Sequence, residues 1–237
     1  MEESKLELMI QGHEIWLEKS KVDGEDIELA LMYGHNMRQD GIADANRLKA
    51  FNYHPDGSKF DLNLIPDKNR YLLKFKADNE GSYTTIVDMG STILSKTKDG
   101  FMKGPRSQFK DVIYAGAYHQ MAKILYPVGS NGGFNGRVMH GILETVPVMP
   151  WCPAGQEIEL QVFYEGKPLA GEDIKAISKI EGKEMSLVKT DEQGIARIPV
   201  TRDGEWMFLV RHRDPTKKVS EEFDETIFVS TLVMEAR

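Results

Sequence analysis

A chain of 237 residues, 41% hydrophobic and 28% charged, has room for two ordinary domains with real cores. Its net charge of −7 speaks against nucleic acid, which needs a basic face, and leaves a neutral partner or a cation. The single cysteine, Cys152, excludes an internal disulfide and a thiolate zinc cluster, and no apolar run is long enough for a transmembrane helix.

Period-two alternation dominates from the start, the mark of half-buried strands. Leu6, Leu8 and Ile10 share one face of a first segment, and Ile27, Leu29, Leu31 and Tyr33 share a face of "DIELALMYG". "RLKAFNYHPDGSKFDLNLIP" reads as two strands around Pro55-Asp56-Gly57, with Phe60, Leu62 and Leu64 on one side. "RYLLKFKADNEGSYTTIVDMG" repeats the pattern around an Asn-Glu-Gly turn. "SKTKDGFMKGPRSQFKD" reads as a polar loop long enough to carry function. "FKDVIYAGAYHQMAKILY" suits a helix almost as well as a strand, and is read as a strand closing a first sandwich.

The glycine- and proline-rich stretch "YPVGSNGGFNGRVMHGILETVPVMPWCPAGQ" marks connecting structure, which puts a boundary near Pro150. "MPWCPAG" reads as an extended linker with its Trp and Cys packed between domains. Beyond it, "QEIELQVFYEG", "MSLVKT", "IARIPV", "EWMFLVRHR" and "TIFVSTLVMEA" are short strands separated by Gly/Asp turns, the pattern of a sandwich. The expected fold is all-β: two immunoglobulin-like β-sandwich domains in tandem, residues 1–150 and 151–237.

No nucleophile elbow, P-loop, H-E-x-x-H or dinucleotide fingerprint occurs. Histidine and methionine remain. His54 falls in a turn and His212 between arginines, both reading as surface groups, and His140 follows Met139 in the glycine-rich stretch. His35 and Met37 end a strong strand, and His119 shares a strand face with Met121. Imidazole suits Ni, Co, Cu and Zn, so His13, His35 and His119, completed by Glu14 or a water, are the candidate ligands of a divalent first-row ion. The bland alternative is that these are ordinary hydrogen-bonded rim or core histidines, since their spacing is not diagnostic; Met9, Met32 and Met37 likewise read as core filler.

Three stretches carry a family resemblance. "GHEIWLEKS" is similar to the histidine-to-tryptophan opening just after the leader in extracytoplasmic (periplasmic-type) components of cobalt and nickel uptake systems, and "LALMYGHNM" resembles that family's strand ending in Gly-His. "PAGQEIELQVFYEGKPLAGEDIKA" and "TDEQGIARIPVTRDGEWMFLVRHR" resemble its C-terminal domain, and also transthyretin-like and collagen-adhesin B-type modules. The resemblance spans nearly the whole chain. It implies a non-enzymatic Ni²⁺ or Co²⁺ binding protein, accessory to a membrane permease, with Zn²⁺ and Cu²⁺ suiting the same donors. His13 and His35 match the family's two histidines. His119 falls where the family has a tyrosine-rich strand, so its role rests on the residues alone.

Two departures bear on this. Twelve residues precede His13, so a chelate through an amino-terminal amine requires processing. "MEESKLELMIQG" lacks the order of a secretion signal, so an extracytoplasmic location requires a leader already removed. Many relatives carry a membrane segment and this chain ends in "VMEAR" at its last strand, so it is expected to work as a soluble subunit or to dock on a membrane transporter. On this reading adjacent strands bring His13 to His35, with Trp16 packed behind them. The rival expectation is a structural or adhesin-like pair of sandwiches that binds no metal; a hydrolase is the third.

Overall fold

A computed structural model describes residues 12–129 and 141–237. The amino-terminal half supplies β1 (Glu14–Asp23), β2 (Asp26–His35), β3 (Arg38–Gln39), β4 (Lys49–Tyr53), β5 (Lys59–Leu62), β6 (Ile65–Asp67) and β7 (Arg70–Lys76). The long strands β8 (Gly81–Thr97) and β10 (Val112–Val128) flank the short β9 (Gly100–Lys103). After β11 (Leu143–Pro147) come β12 (Gln156–Tyr164), β13 (Lys167–Pro168), β14 (Asp173–Ser178), β15 (Lys183–Lys189) and β16 (Ile195–Val200). The chain ends in β17 (Gly204–Asp214) and β18 (Glu225–Ala236). Short 3₁₀ turns at Ala45–Arg47 and Arg106–Gln108 are the helical elements among the described residues, and no helix there is long and apolar enough to cross a membrane.

The fold is all-β, built on two sandwich cores that share a sheet. The outer sheet β1-β2-β7-β6, with β3 on β2, covers one face of a nine-stranded sheet ordered β15-β14-β17-β18-β10-β8-β4-β5, with β9 on β8. The outer sheet β11-β12-β13, with β16 on β12, covers the other. Side chains of a strand alternate faces, so one central strand feeds both cores. In β17, Trp206, Phe208 and Val210 enter one core while Met207 and Leu209 enter the other. In β18, Phe228, Leu232 and Met234 oppose Ile227, Val229 and Val233. This two-sided burial is why "EWMFLVRHR" and "TIFVSTLVMEA" read as nearly unbroken apolar runs.

Pro150 lies in the crossing from β11 to β12, and the central sheet continues across it: β10 pairs in parallel with β18, Gly116 opposite Glu225 through Ile124 opposite Val233. The expected polar loop is instead a hairpin extension, Thr97 pairing with Gly100 and Leu94 with Lys103 as β9 folds back on β8. The ambiguous 109–126 segment is strand β10, paired with β8 over nearly its whole length. Phe60 departs from the expected apolar face: β5 is the sheet's last strand, and the ring is 50% exposed. Cys152 is fully buried in the second core, its backbone bonded to Glu235 and Arg237, whereas Trp151 lies half-buried beneath the Arg237 guanidinium. The segment containing Leu6, Leu8 and Ile10 lies outside the described residues.

Candidate metal centre

The site is built by the register of one hairpin. β1 and β2 pair antiparallel from Asp23 opposite Asp26 to Glu14 opposite Gly34, and one more step places His13 beside His35. Their ring centroids are 4.3 Å apart, and His13 also stacks on Tyr33 at 4.6 Å with 10° between planes. The chain then reverses through Asn36 and Met37, whose φ values of 51° and 58° are those of a two-residue type I′ turn. Asn36 suits the left-handed region; Met37 is held there by burial in the first core. Gly34 is dictated by the close return of the chain, since a Cβ there would lie 2.2 Å from the Arg38 carbonyl oxygen.

The reversal delivers Asp40, whose amide donates to the Tyr33 carbonyl at 3.3 Å. Its carboxylate spans both imidazoles, Oδ2 at 2.8 Å from His35 Nδ1 and Oδ1 at 3.1 Å from His13 Nε2. One ligand atom from each of His13, His35 and Asp40 falls within 4.8 Å of the other two. Donors at right angles around an ion with bonds of about 2.1 Å stand roughly 3.0 Å apart, so these contacts have the spacing of neighbours in a coordination sphere. Burial first, then the charge on His35, lowers the His13 pKa, against Asp40 and Glu14 which raise it. The ring therefore gives up its proton, and becomes able to ligate, at a lower pH than an ordinary histidine. Two imidazoles and a carboxylate are a borderline donor set suited to divalent first-row ions.

Glu14 is not in this cluster. As the next residue along β1 its side chain takes the opposite face, is 2% exposed, and is committed to protein groups. Its Oε1 accepts from the Asn36 amide at 2.6 Å and its Oε2 pairs with Arg211 Nη2 at 2.8 Å. It anchors the turn that presents His35 and Asp40. His119 is also elsewhere: Tyr118 and Gln120 line the cleft beside the pair, and alternation turns His119 away, toward Asp88 at 3.2 Å and Phe228. Trp16 is fully buried behind the pair, its indole N–H donating to Glu18 at 2.7 Å. His212 is bound to Glu172 at 2.7 Å, His54 packs against Phe60, and His140 lies outside the described residues.

Asp40 escaped the sequence reading. The available signal was an acid three residues past an Asn-x turn that follows Gly-His. His13 and His35 line a cleft of about 400 Å³ together with Tyr33, Arg47, Leu94, Phe101, Tyr118 and Gln120, while Asp40 bridges the two rings without being part of its wall.

Likeness to solved structures is remote. The D0-D1 domain of intimin aligns at 12% identity over 93% of this chain and 97% of its own, with a TM-score of 0.22. Native alpha-2-macroglobulin from Escherichia coli, spanning domains NIE-MG1, aligns at 10% identity over 89% of this chain and 95% of its own, TM-score 0.24. The BSP domain of a biofilm associated protein gives 11% identity over 94% of this chain and 52% of its own, TM-score 0.22. No curated protein matches the chain. A family model does match, over residues 10–214, a span that contains the hairpin, the turn and Asp40: the chain belongs to the family described as Domain of unknown function, DUF4198.

Proposed function

We propose that this protein is a non-enzymatic transition-metal binder that captures Ni²⁺ or Co²⁺ outside the cytoplasm and hands it to a membrane permease. The observation that carries the reading is the convergence of His13, His35 and Asp40, three donors that the β1–β2 hairpin and the return through β3 bring within 4.8 Å of one another, with both histidines lining the cleft. Asp40 holds both rings by hydrogen bonds in the metal-free protein, and an incoming ion replaces the bridging protons. The rim is open, with side-chain exposures of 40% for His13 and 47% for Asp40, which suits a cargo that must be released. Delivery to a permease, and the location this requires, rest on the likeness of "GHEIWLEKS" and "YGHNM" to cobalt and nickel uptake components.

Isothermal titration of metal-stripped protein with Ni²⁺, Co²⁺, Zn²⁺ and Cu²⁺ tests the binding. Wild-type protein is expected to bind Ni²⁺ or Co²⁺, and a His13→Ala/His35→Ala variant to lose it; equal affinity in both sinks the proposal. The permease step is checked by uptake of radiolabelled Ni²⁺ in cells with and without the gene. The rival reading, an adhesin-like module, has the free edge beyond β5 on its side, where Phe60 is 50% exposed. It predicts a melting temperature indifferent to every metal, whereas a specific ligand raises it by mass action.

A further inference from the structure

The cleft behind the metal donors is larger than an ion needs. Three protein ligands leave about three positions on a six-coordinate ion, and three waters at about 30 Å³ each take roughly 90 Å³. That is about a quarter of the 400 Å³ present. The remaining space is walled by Leu94, Phe101 and Tyr118 and holds polar groups that lack partners.

Three buried side-chain atoms lining this one cleft, Arg47 Nε, Gln120 Oε1 and His35 Nε2, have no hydrogen-bond partner among the described residues. Buried polar groups are normally paired, so three orphans at one cleft point to an absent polar occupant. Gln120 is 8% exposed, and its amide offers both a donor and an acceptor. Arg47 spends one N–H on a long 3.4 Å bond to the Gly90 carbonyl. The acid that acts on Arg47, Asp44, is engaged with Lys103 at 3.5 Å and with the Asn46 amide. The guanidinium therefore keeps donors for an incoming anion.

We propose, resting on the metal-binding reading, that the cleft takes the ion as its complex with a small carboxylate-bearing chelator, an amino acid or hydroxy acid. A carboxylate of the chelator pairs with Arg47, its amino or hydroxyl group bonds Gln120, and its carbon skeleton lies on the apolar wall. An apolar-walled cleft with a few convergent polar groups, of this size, is what small-molecule sites present.

The test is titration of the full chain with Ni²⁺ alone, with Ni²⁺–citrate and with Ni²⁺–L-histidine, together with equilibrium dialysis of radiolabelled chelator. The expected result is one chelator retained per protein only when Ni²⁺ is present. Arg47→Met then weakens the complex by about tenfold or more while leaving the affinity for Ni²⁺ alone within about twofold, which also certifies its fold. Gln120→Leu has the same effect, smaller. If both chelators strip the ion and neither is retained, or if Arg47→Met takes up the complex as wild type does, the chelate is refuted and the metal site stands. If neither Ni²⁺ nor its complexes bind, the metal-binding reading falls with it.

Discussion

Replacing Glu14 by glutamine separates two roles that its position beside His13 confuses. As a ligand it would govern affinity; as a buttress it governs stability. The geometry assigns the second. Glutamine keeps the shape and an oxygen for the Asn36 amide, but removes the charge 2.8 Å from Arg211, in a pair whose acid is 2% exposed. Breaking a buried pair by neutralising one partner costs about 3–5 kcal/mol. The Arg211 side chain retains 18% exposure and the Gly12 carbonyl at 3.1 Å, which trims the expected cost to about 2–3 kcal/mol. For a chain of this size each kcal/mol moves the melting temperature by about 2–4 °C, so calorimetry should record a fall of about 4–12 °C. Ni²⁺ affinity, read by titration well below the transition, should change by less than about tenfold, less than loss of a ligand or its orienting partner brings. A melting temperature unmoved by the substitution, alongside a hundredfold loss of affinity, would refute this assignment and restore Glu14 as a ligand.

Asp40→Asn should weaken Ni²⁺ binding by about 10- to 100-fold in the same titration, while His119→Ala, on the far face of the sheet, leaves it unchanged. The lowered pKa of His13 means that just below pH 6.5 the unfolded chain binds more protons than the folded one. Stability of the metal-free protein therefore rises with pH through that window and levels above about 6.5, and the metal-induced rise in melting temperature should shrink as pH falls below it. Melting curves from pH 5 to 8 with and without Ni²⁺ check both slopes. Gly34→Ala places a methyl 2.2 Å from a carbonyl oxygen, so it should cost about 1–3 kcal/mol by thermal melting and lower Ni²⁺ affinity through the displaced turn. Burial pushes the Cys152 thiol up to about 12, so iodoacetamide should label it only in denaturant, and labelling of the native protein contradicts the second core as described.

The pairing of the two histidines was legible because "DIELALMYG" alternates and ends in His35, while "GHEIWLEKS" opens on His13, so both rings fall at the open end of the hairpin. The same rule, followed one residue further, separates the rest. Neighbours on a strand face opposite sides, so Glu14 turns away from His13, and His119 turns away from Tyr118 and Gln120. Asp40 was hidden by Met37, which occupies a left-handed turn position where asparagine or glycine is the expected residue, so Asn36 alone was left to announce the reversal. Burial of Met37 compensates for the strain, and burial is set by residues distant along the chain. The shared central sheet was hidden for a similar reason. "EWMFLVRHR" shows apolar residues at odd and even positions, but only the parallel pairing of β10 with β18 reveals that each set serves a different core.

That shared sheet bears on how the site is held. β1 is pinned along its length by side chains from the carboxy-terminal strands: Thr231 of β18 donates to the Ile15 carbonyl at 2.8 Å, Glu205 of β17 accepts from the Lys19 amide at 2.8 Å, and Arg211 of β17 reaches both Glu14 and the Gly12 carbonyl. Beneath them Met207, Leu209, Val229 and Val233 fill the core on which Ile15 and Leu17 rest. The strand that carries His13 therefore takes its position from residues nearly two hundred places away. The turn that carries His35 and Asp40 takes its position from the same Arg211, through Glu14 and Asn36. Donors on rigid elements, locked by a second layer of bonds, keep a preorganised geometry that a flexible loop cannot. Both imidazoles and the carboxylate therefore take their positions from the central sheet, through Arg211, Glu205 and Thr231, more than from the loop sequence around them.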